Sequence, residues 1–124
     1  MLEKMTNSSI HNLVKFFGIA GRLKRTPRAG WIDVGIRQPE SVADHIFRTS
    51  ILCMIYADME GLDQLKLLRM ALIHDLPEAI IGDLTPSKKT EKSKEKEEAA
   101  MSQTLDLLPK KQREKCMMAW NEYQ

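Results

Sequence analysis

Aromatic residues are scarce in this chain: three Phe, two Trp and two Tyr among 124 residues. A core with so few large rings must be filled by aliphatic side chains, and eight methionines supply flexible bulk that suits packing between helices. Cysteine occurs only twice, at Cys53 and Cys116, each inside an apolar helical pattern. That count argues against a disulfide framework and for free thiols in a reducing cytoplasm. No apolar run reaches the roughly 20 residues needed to span a bilayer, and the first seven residues lack the apolar stretch of a signal peptide. A cytoplasmic protein that meets no membrane is the expectation. The formal charge of +2 gives no reason to invoke nucleic acid as a partner. No internal repeat is visible, and the length suits a single domain, 1–124.

What is present is helical patterning. Ile10, Leu13, Val14, Phe17, Ala20 and Leu23 recur at helical spacing from Ser9 to about Leu23, with Asn7, Ser8 or Ser9 available as the N-cap. Ser41 to Asp44 fits a capping box that opens a helix to about Ala57, with Val42, His45, Ile46, Thr49, Leu52, Cys53 and Tyr56 on its inward stripe. Gly61-Leu62-Asp63 ends that helix and caps the next, whose inward face carries Leu65, Leu68, Leu72 and Asp75. Pro77 must stop or kink it, and a short helix can restart there. Residues 88–98 are almost wholly charged with both signs, a solvated helix or mobile loop. A helix at 99–108 points Ala100, Met101, Thr104, Leu105 and Leu108 inward, and the last begins near Lys110, using Cys116, Ala119, Trp120 and Tyr123. The sequence stops in mid-pattern, so the expectation is a domain incomplete at its C-terminus. The fold class expected is all-α, a bundle of five or six helices.

Chemistry concentrates in Ile73-His74-Asp75-Leu76-Pro77-Glu78-Ala79-Ile80-Ile81-Gly82-Asp83, answered upstream by Asp44-His45. Asp44 has a structural task in the capping box, which leaves His45 on an inward face without one. Imidazole beside carboxylate suits a borderline divalent ion, and a carboxylate one turn on could handle protons. Buried carboxylates need a partner. A hydrogen-bonded His-Asp core pair, with Glu78 on an arginine, is the alternative to a metal. Adjacent residues of a regular helix point about 100° apart, so the Pro77 break is what lets His74 and Asp75 face one ion. The basic stretch Lys24 to Trp31 also has two readings. It is a solvated connector with Trp31 covering the core edge, or it brings Arg28 or Arg25 to a phosphate.

The pattern Pro39-Glu40-Ser41-Val42-Ala43-Asp44-His45, then Leu72-Ile73-His74-Asp75-Leu76-Pro77-Glu78 and Gly82-Asp83-Leu84, resembles the HD-domain phosphohydrolases, within them the 5′-deoxynucleotidase branch. The resemblance extends over most of the chain, through Leu107-Leu108-Pro109. It implies a compact HD-domain helical bundle that is usually dimeric and removes phosphate from deoxynucleoside monophosphates with one divalent ion (Co, Mn, Fe, Zn or Mg). Residue by residue it implies metal ligation by His45, His74 and Asp75. It gives proton transfer to Glu78, a sugar contact or water positioning to Asp83, and phosphate contact to Arg28. The family's fourth ligand, a later aspartate, has no match here, and Asp106 stands in a different context. Two rival functions stay open: hydrolysis of another nucleotide within the same superfamily, or a non-catalytic helical interaction module with a vestigial metal site.

Overall fold

A computed structural model describes residues 4–124, so the first three residues of the expected 1–124 domain lie outside the described residues. Seven helices follow in order: α1 (Asn7–Gly21), α2 (Ala29–Asp33), α3 (Val42–Glu60), α4 (Gln64–Ile73), α5 (Glu78–Ile81), α6 (Glu91–Leu105) and α7 (Lys110–Tyr123). Five of them span ten residues or more. Tight 3-10 turns occupy Arg22–Arg25 and Pro86–Lys88. No strand occurs among the described residues, where a single bridge joins Pro27 to Ser41. The all-α expectation therefore holds. No helix among the described residues is long and apolar enough to cross a membrane.

Local chemistry explains most boundaries. The Ser41 hydroxyl accepts from the Asp44 amide at 3.1 Å while Asp44 Oδ2 accepts from the Ser41 amide at 3.0 Å, the reciprocal cap expected from the sequence. Gly61 closes α3 with φ +65°, where a side chain would strain the backbone, and the Asp63 carboxylate caps α4 from the other side. Pro77 ends α4 at Ile73, and four turn residues intervene before α5. The cap of α1 is Thr6 rather than Asn7, Ser8 or Ser9. A second capping box, Thr90 with Ser93, starts α6 inside the charged run, so that run and the apolar segment after it form one helix.

The core joins α3, α4, α6 and α7 through Val42, Ile46, Ile73, Met101, Leu105 and Trp120, and Leu23 and Leu76 belong to the same cluster. Met101, Leu105 and Val42 are fully buried, and residues of this size contribute about 2 kcal/mol or more each by burial. Three sequence expectations of burial are corrected. Ile10, Val14 and Phe17 of α1 are exposed, as are Leu52 and Tyr56 of α3 and Leu65 and Leu72 of α4. Periodicity identifies an apolar face, but only tertiary packing decides whether these 124 residues cover it. Both cysteines are free thiols, as expected.

Candidate metal centre

The site lies where α3 begins and α4 ends. The Asp75 carboxylate sits between two imidazoles: His45 Nε2 is 3.3 Å and His74 Nε2 3.1 Å from the same oxygen, Oδ2. The two rings meet edge-on with centroids 5.8 Å apart, so residues 29 positions apart share one centre. The break at Pro77 ends α4 at this point: His74 is its C-cap, still with helical dihedrals, and Asp75 lies in the turn that follows.

The tautomer of His74 follows from its neighbour. Nδ1 lies 2.7 Å from the Ala71 carbonyl oxygen, which can only accept, so Nδ1 carries the hydrogen and Nε2 has its lone pair free. The His74 Nε2 lone pair and the Asp75 carboxylate oxygen then face each other at 3.1 Å, so a proton or a cation belongs between them. The three ligand atoms fall within 4.8 Å of one another, and the group could hold a metal ion. Two nitrogens and one oxygen suit a divalent transition ion. No fourth His, Cys, Asp or Glu joins them among the described residues. Asp106 is remote, capping the end of α6 and facing Arg113.

Electrostatics match this geometry. Burial and the Arg28 cation hold His45 below its ordinary value, against the pull of Asp75. Burial works the same way on His74, but the hydrogen bond and charge of Asp75 with the Ala71 carbonyl outweigh it, and that ring sits above its ordinary value. Burial opposes ionisation of Asp75, and the imidazoles overcome it, keeping the carboxyl low. Glu78 behaves oppositely. Burial first, then the negative charges of Asp75 and Asp83 and a hydrogen bond to Asp83, push its carboxyl up to about 9. Its Oε2 is buried with no conventional partner. A proton on Glu78 removes the repulsion from Asp75 and Asp83.

The loop before α3 supplies the cationic side. The Arg28 amide donates to the Glu40 carbonyl at 3.0 Å and the Val42 amide to the Thr26 carbonyl at 2.8 Å, stitching the loop to the start of α3. Asp83 Oδ2 accepts from the Ala29 amide at 2.8 Å and from Arg28 Nη1 at 3.4 Å. Arg28 thereby enters the site, and its Nε is buried without a partner, a donor aimed at no protein acceptor. Arg25 lies elsewhere, on a groove with Lys15, Arg22 and Gln103. Arg28 is thus tied to the site through Asp83, whereas Arg25 lies on a separate groove. The core-pair alternative fails in one particular, since the arginine pairs with Asp83 and not with Glu78.

Arg28 and His45 border a cavity of about 430 Å³ together with Gly30, Trp31, Val34 and Glu40. Trp31 does not cover the core edge, being 46% exposed. Its Nε1 donates to Glu40 Oε1 at 3.1 Å, and Glu40 Oε2 accepts from Arg48. Tyr123 also belongs to the site, its ring 5.1 Å from that of His74. Sequence reasoning placed Tyr123 only on an inward helix face and gave Glu40 no role. The signal available was the proximity of Glu40 to the cap, which could not reveal a partner nine residues back.

A family model described as an HD domain matches residues 20–124. Among curated proteins, the chain is 36% identical over 122 residues to 5′-deoxynucleotidase HDDC2 of Bos taurus, covering 97% of this chain and 59% of that protein. It is 42% identical over 101 residues to 5′-deoxynucleotidase hdd1 of Schizosaccharomyces pombe, covering 79% of this chain and 50% of that one. The chain thus spans between half and three-fifths of the length of these relatives. Among solved structures, a conserved hypothetical protein from Pyrococcus furiosus superposes with a TM-score of 0.66 at 34% identity, covering 86% of this chain and 76% of the other.

Proposed function

The chain belongs to the HD-domain family, and on that premise we propose that it is a metal-dependent phosphohydrolase that removes the 5′-phosphate of deoxynucleoside monophosphates. The observation that carries the reading is one cavity bordered both by His45, of the metal-competent group, and by Arg28 with its unpartnered Nε. A guanidinium beside a cation site is chemistry for a phosphate monoester.

His45, His74 and Asp75 would hold the divalent ion, their three donors leaving positions open for other ligands. When bound, the ion supplies Lewis acidity toward phosphate oxygen and lowers the pKa of water. The chain's own residues do the rest. Arg28 would offer its outer guanidinium nitrogens to phosphate oxygens, orienting phosphorus for in-line attack. Asp83 keeps Arg28 and the start of α2 in place through one oxygen. Glu78, whose carboxyl burial and the neighbouring carboxylates push toward its protonated form, would give a proton to the departing 5′ oxygen and afterwards take one from water.

The same reading carries a homodimer, supported by the uncovered apolar residues of α3, and a cytoplasmic setting, supported by two free thiols. It excludes nucleic acid as partner, because acids balance the bases of α6. The deciding experiment measures phosphate release from deoxynucleoside and ribonucleoside monophosphates, nucleoside triphosphates and cyclic dinucleotides with Co²⁺ or Mn²⁺. Preference for deoxynucleoside monophosphates is expected, with loss of the activity in Glu78→Ala. Preference for triphosphates or cyclic dinucleotides, or activity indifferent to Glu78, overturns the reading.

A further inference from the structure

We infer that Glu40 is a positioning residue that fixes the indole of Trp31 as the nucleobase-facing wall of the cavity, with Arg48 holding Glu40 in turn. The inference rests on the phosphohydrolase reading and adds the part of the site that meets the nucleoside.

Four observations carry it. Trp31 stands on a segment, Gly30 to Gln38, in which every residue is exposed, so packing alone does not hold the ring. The indole is tied at its polar edge by the bond from Nε1 to Glu40 Oε1, and the residue stays 46% exposed. Both oxygens of Glu40 are engaged, one by Trp31 and the other by Arg48 of α3, so the carboxylate ties the indole to that helix. Finally, the backbone carbonyl of Glu40 holds the Arg28 amide at 3.0 Å. One residue therefore sets the spacing between the guanidinium that meets phosphate and the aromatic plane beyond it.

The cavity these groups line, about 430 Å³, is large enough for a mononucleotide. With phosphate at Arg28 and His45, the indole is the aromatic surface available to the base. Stacking suits any base, so Trp31 should favour a nucleotide over a base-free sugar phosphate without choosing strongly among bases. The ties themselves are surface bonds, Arg48 being mostly exposed, and such pairs add little to global stability. Function and stability are thus separable at Glu40.

The test compares Glu40→Ala and Glu40→Gln with the parent on deoxyadenosine monophosphate and on deoxyribose 5-phosphate, in the metal-loaded full-length protein. Glu40→Ala should raise KM for the nucleotide about tenfold at nearly unchanged kcat, a loss at the low end of one base–aromatic stack. KM for the base-free compound and the thermal midpoint should stay put, and Glu40→Gln, which keeps the acceptor oxygen for the indole, should recover most of the loss. Independently of activity, the fluorescence component that disappears in Trp31→Phe should become more accessible to acrylamide in Glu40→Ala. Equal effects of Glu40→Ala on both compounds, or none on either, overturn the inference while leaving the phosphohydrolase reading standing. A parent that hydrolyses neither compound overturns that reading instead. Unchanged acrylamide access in Glu40→Ala refutes the positioning role by itself.

Discussion

Replacing Glu78 with Gln should stabilise the metal-free protein at alkaline pH, which is unusual for a change in the centre of a site. The carboxyl ionises near 4.5 in an ordinary setting and is pushed up to about 9 in the folded chain. Below pH 4.5 folded and unfolded chains both hold the proton. Between 4.5 and 9 the folded state keeps a proton that the unfolded state releases, so stability present in acid is lost progressively as pH rises. At pH 8 the gap spans about 3.5 pH units, an upper bound of about 5 kcal/mol, and water reaching the cavity reduces this to about 2 kcal/mol. Glutamine keeps a donor for Asp83 and carries no proton to lose. Urea denaturation in chelator should therefore show the variant about 2 kcal/mol more stable than the parent at pH 8, with the difference closing by pH 4. Parallel loss of stability in both proteins between pH 5 and 9 would refute the reasoning. The same substitution should lower phosphatase activity by at least about 100-fold, since the amide cannot transfer the proton.

Three further outcomes follow from other parts of the molecule. His74→Ala should weaken Mn²⁺ or Co²⁺ binding by calorimetry at least about 100-fold, and in the parent that affinity should fall with acid because bound imidazoles must be neutral. With His74 raised above its ordinary value, the fall begins on the alkaline side of the usual histidine range, and an affinity flat from pH 5 to 8 would exclude imidazole ligation. Arg28→Met should lower kcat/KM by about 100-fold with little recovery in Arg28→Lys, whose ammonium cannot reproduce the fork; wild-type kinetics in either would remove Arg28 from phosphate binding. Met101→Ala should lower unfolding stability by about 3 kcal/mol, read from denaturant midpoints, because the side chain is fully buried between helices.

The residues of the centre were legible before the fold. His45 and His74 sat on apolar faces without another explanation, and the proline after Asp75 announced a turn that could aim two neighbours at one point. The caps at Ser41 and Asp63 and the stop at Gly61 were equally plain, because each depends on chemistry within four residues. Burial was read less well. Leu52, Tyr56, Leu65 and Leu72 keep helical rhythm with the core yet face outward, since rhythm reports a face and not its cover. The Arg28 loop was the largest gap. Nothing local says that the Arg28 amide bonds Glu40 twelve residues on and the Val42 amide bonds Thr26 sixteen residues back, the bonds that bring Arg28 beside His45.

Those crossing bonds have a consequence for tolerance to change. Because Thr26 and Arg28 are fastened to Glu40 and Val42, the intervening residues form a hoop whose two feet are anchored independently of its span. Additions or deletions around Val34 to Gln38 can remodel the rim of the cavity while the guanidinium and the imidazole below stay in register. Selectivity for what enters is therefore free to drift, in evolution or by engineering, faster than the chemistry performed on it.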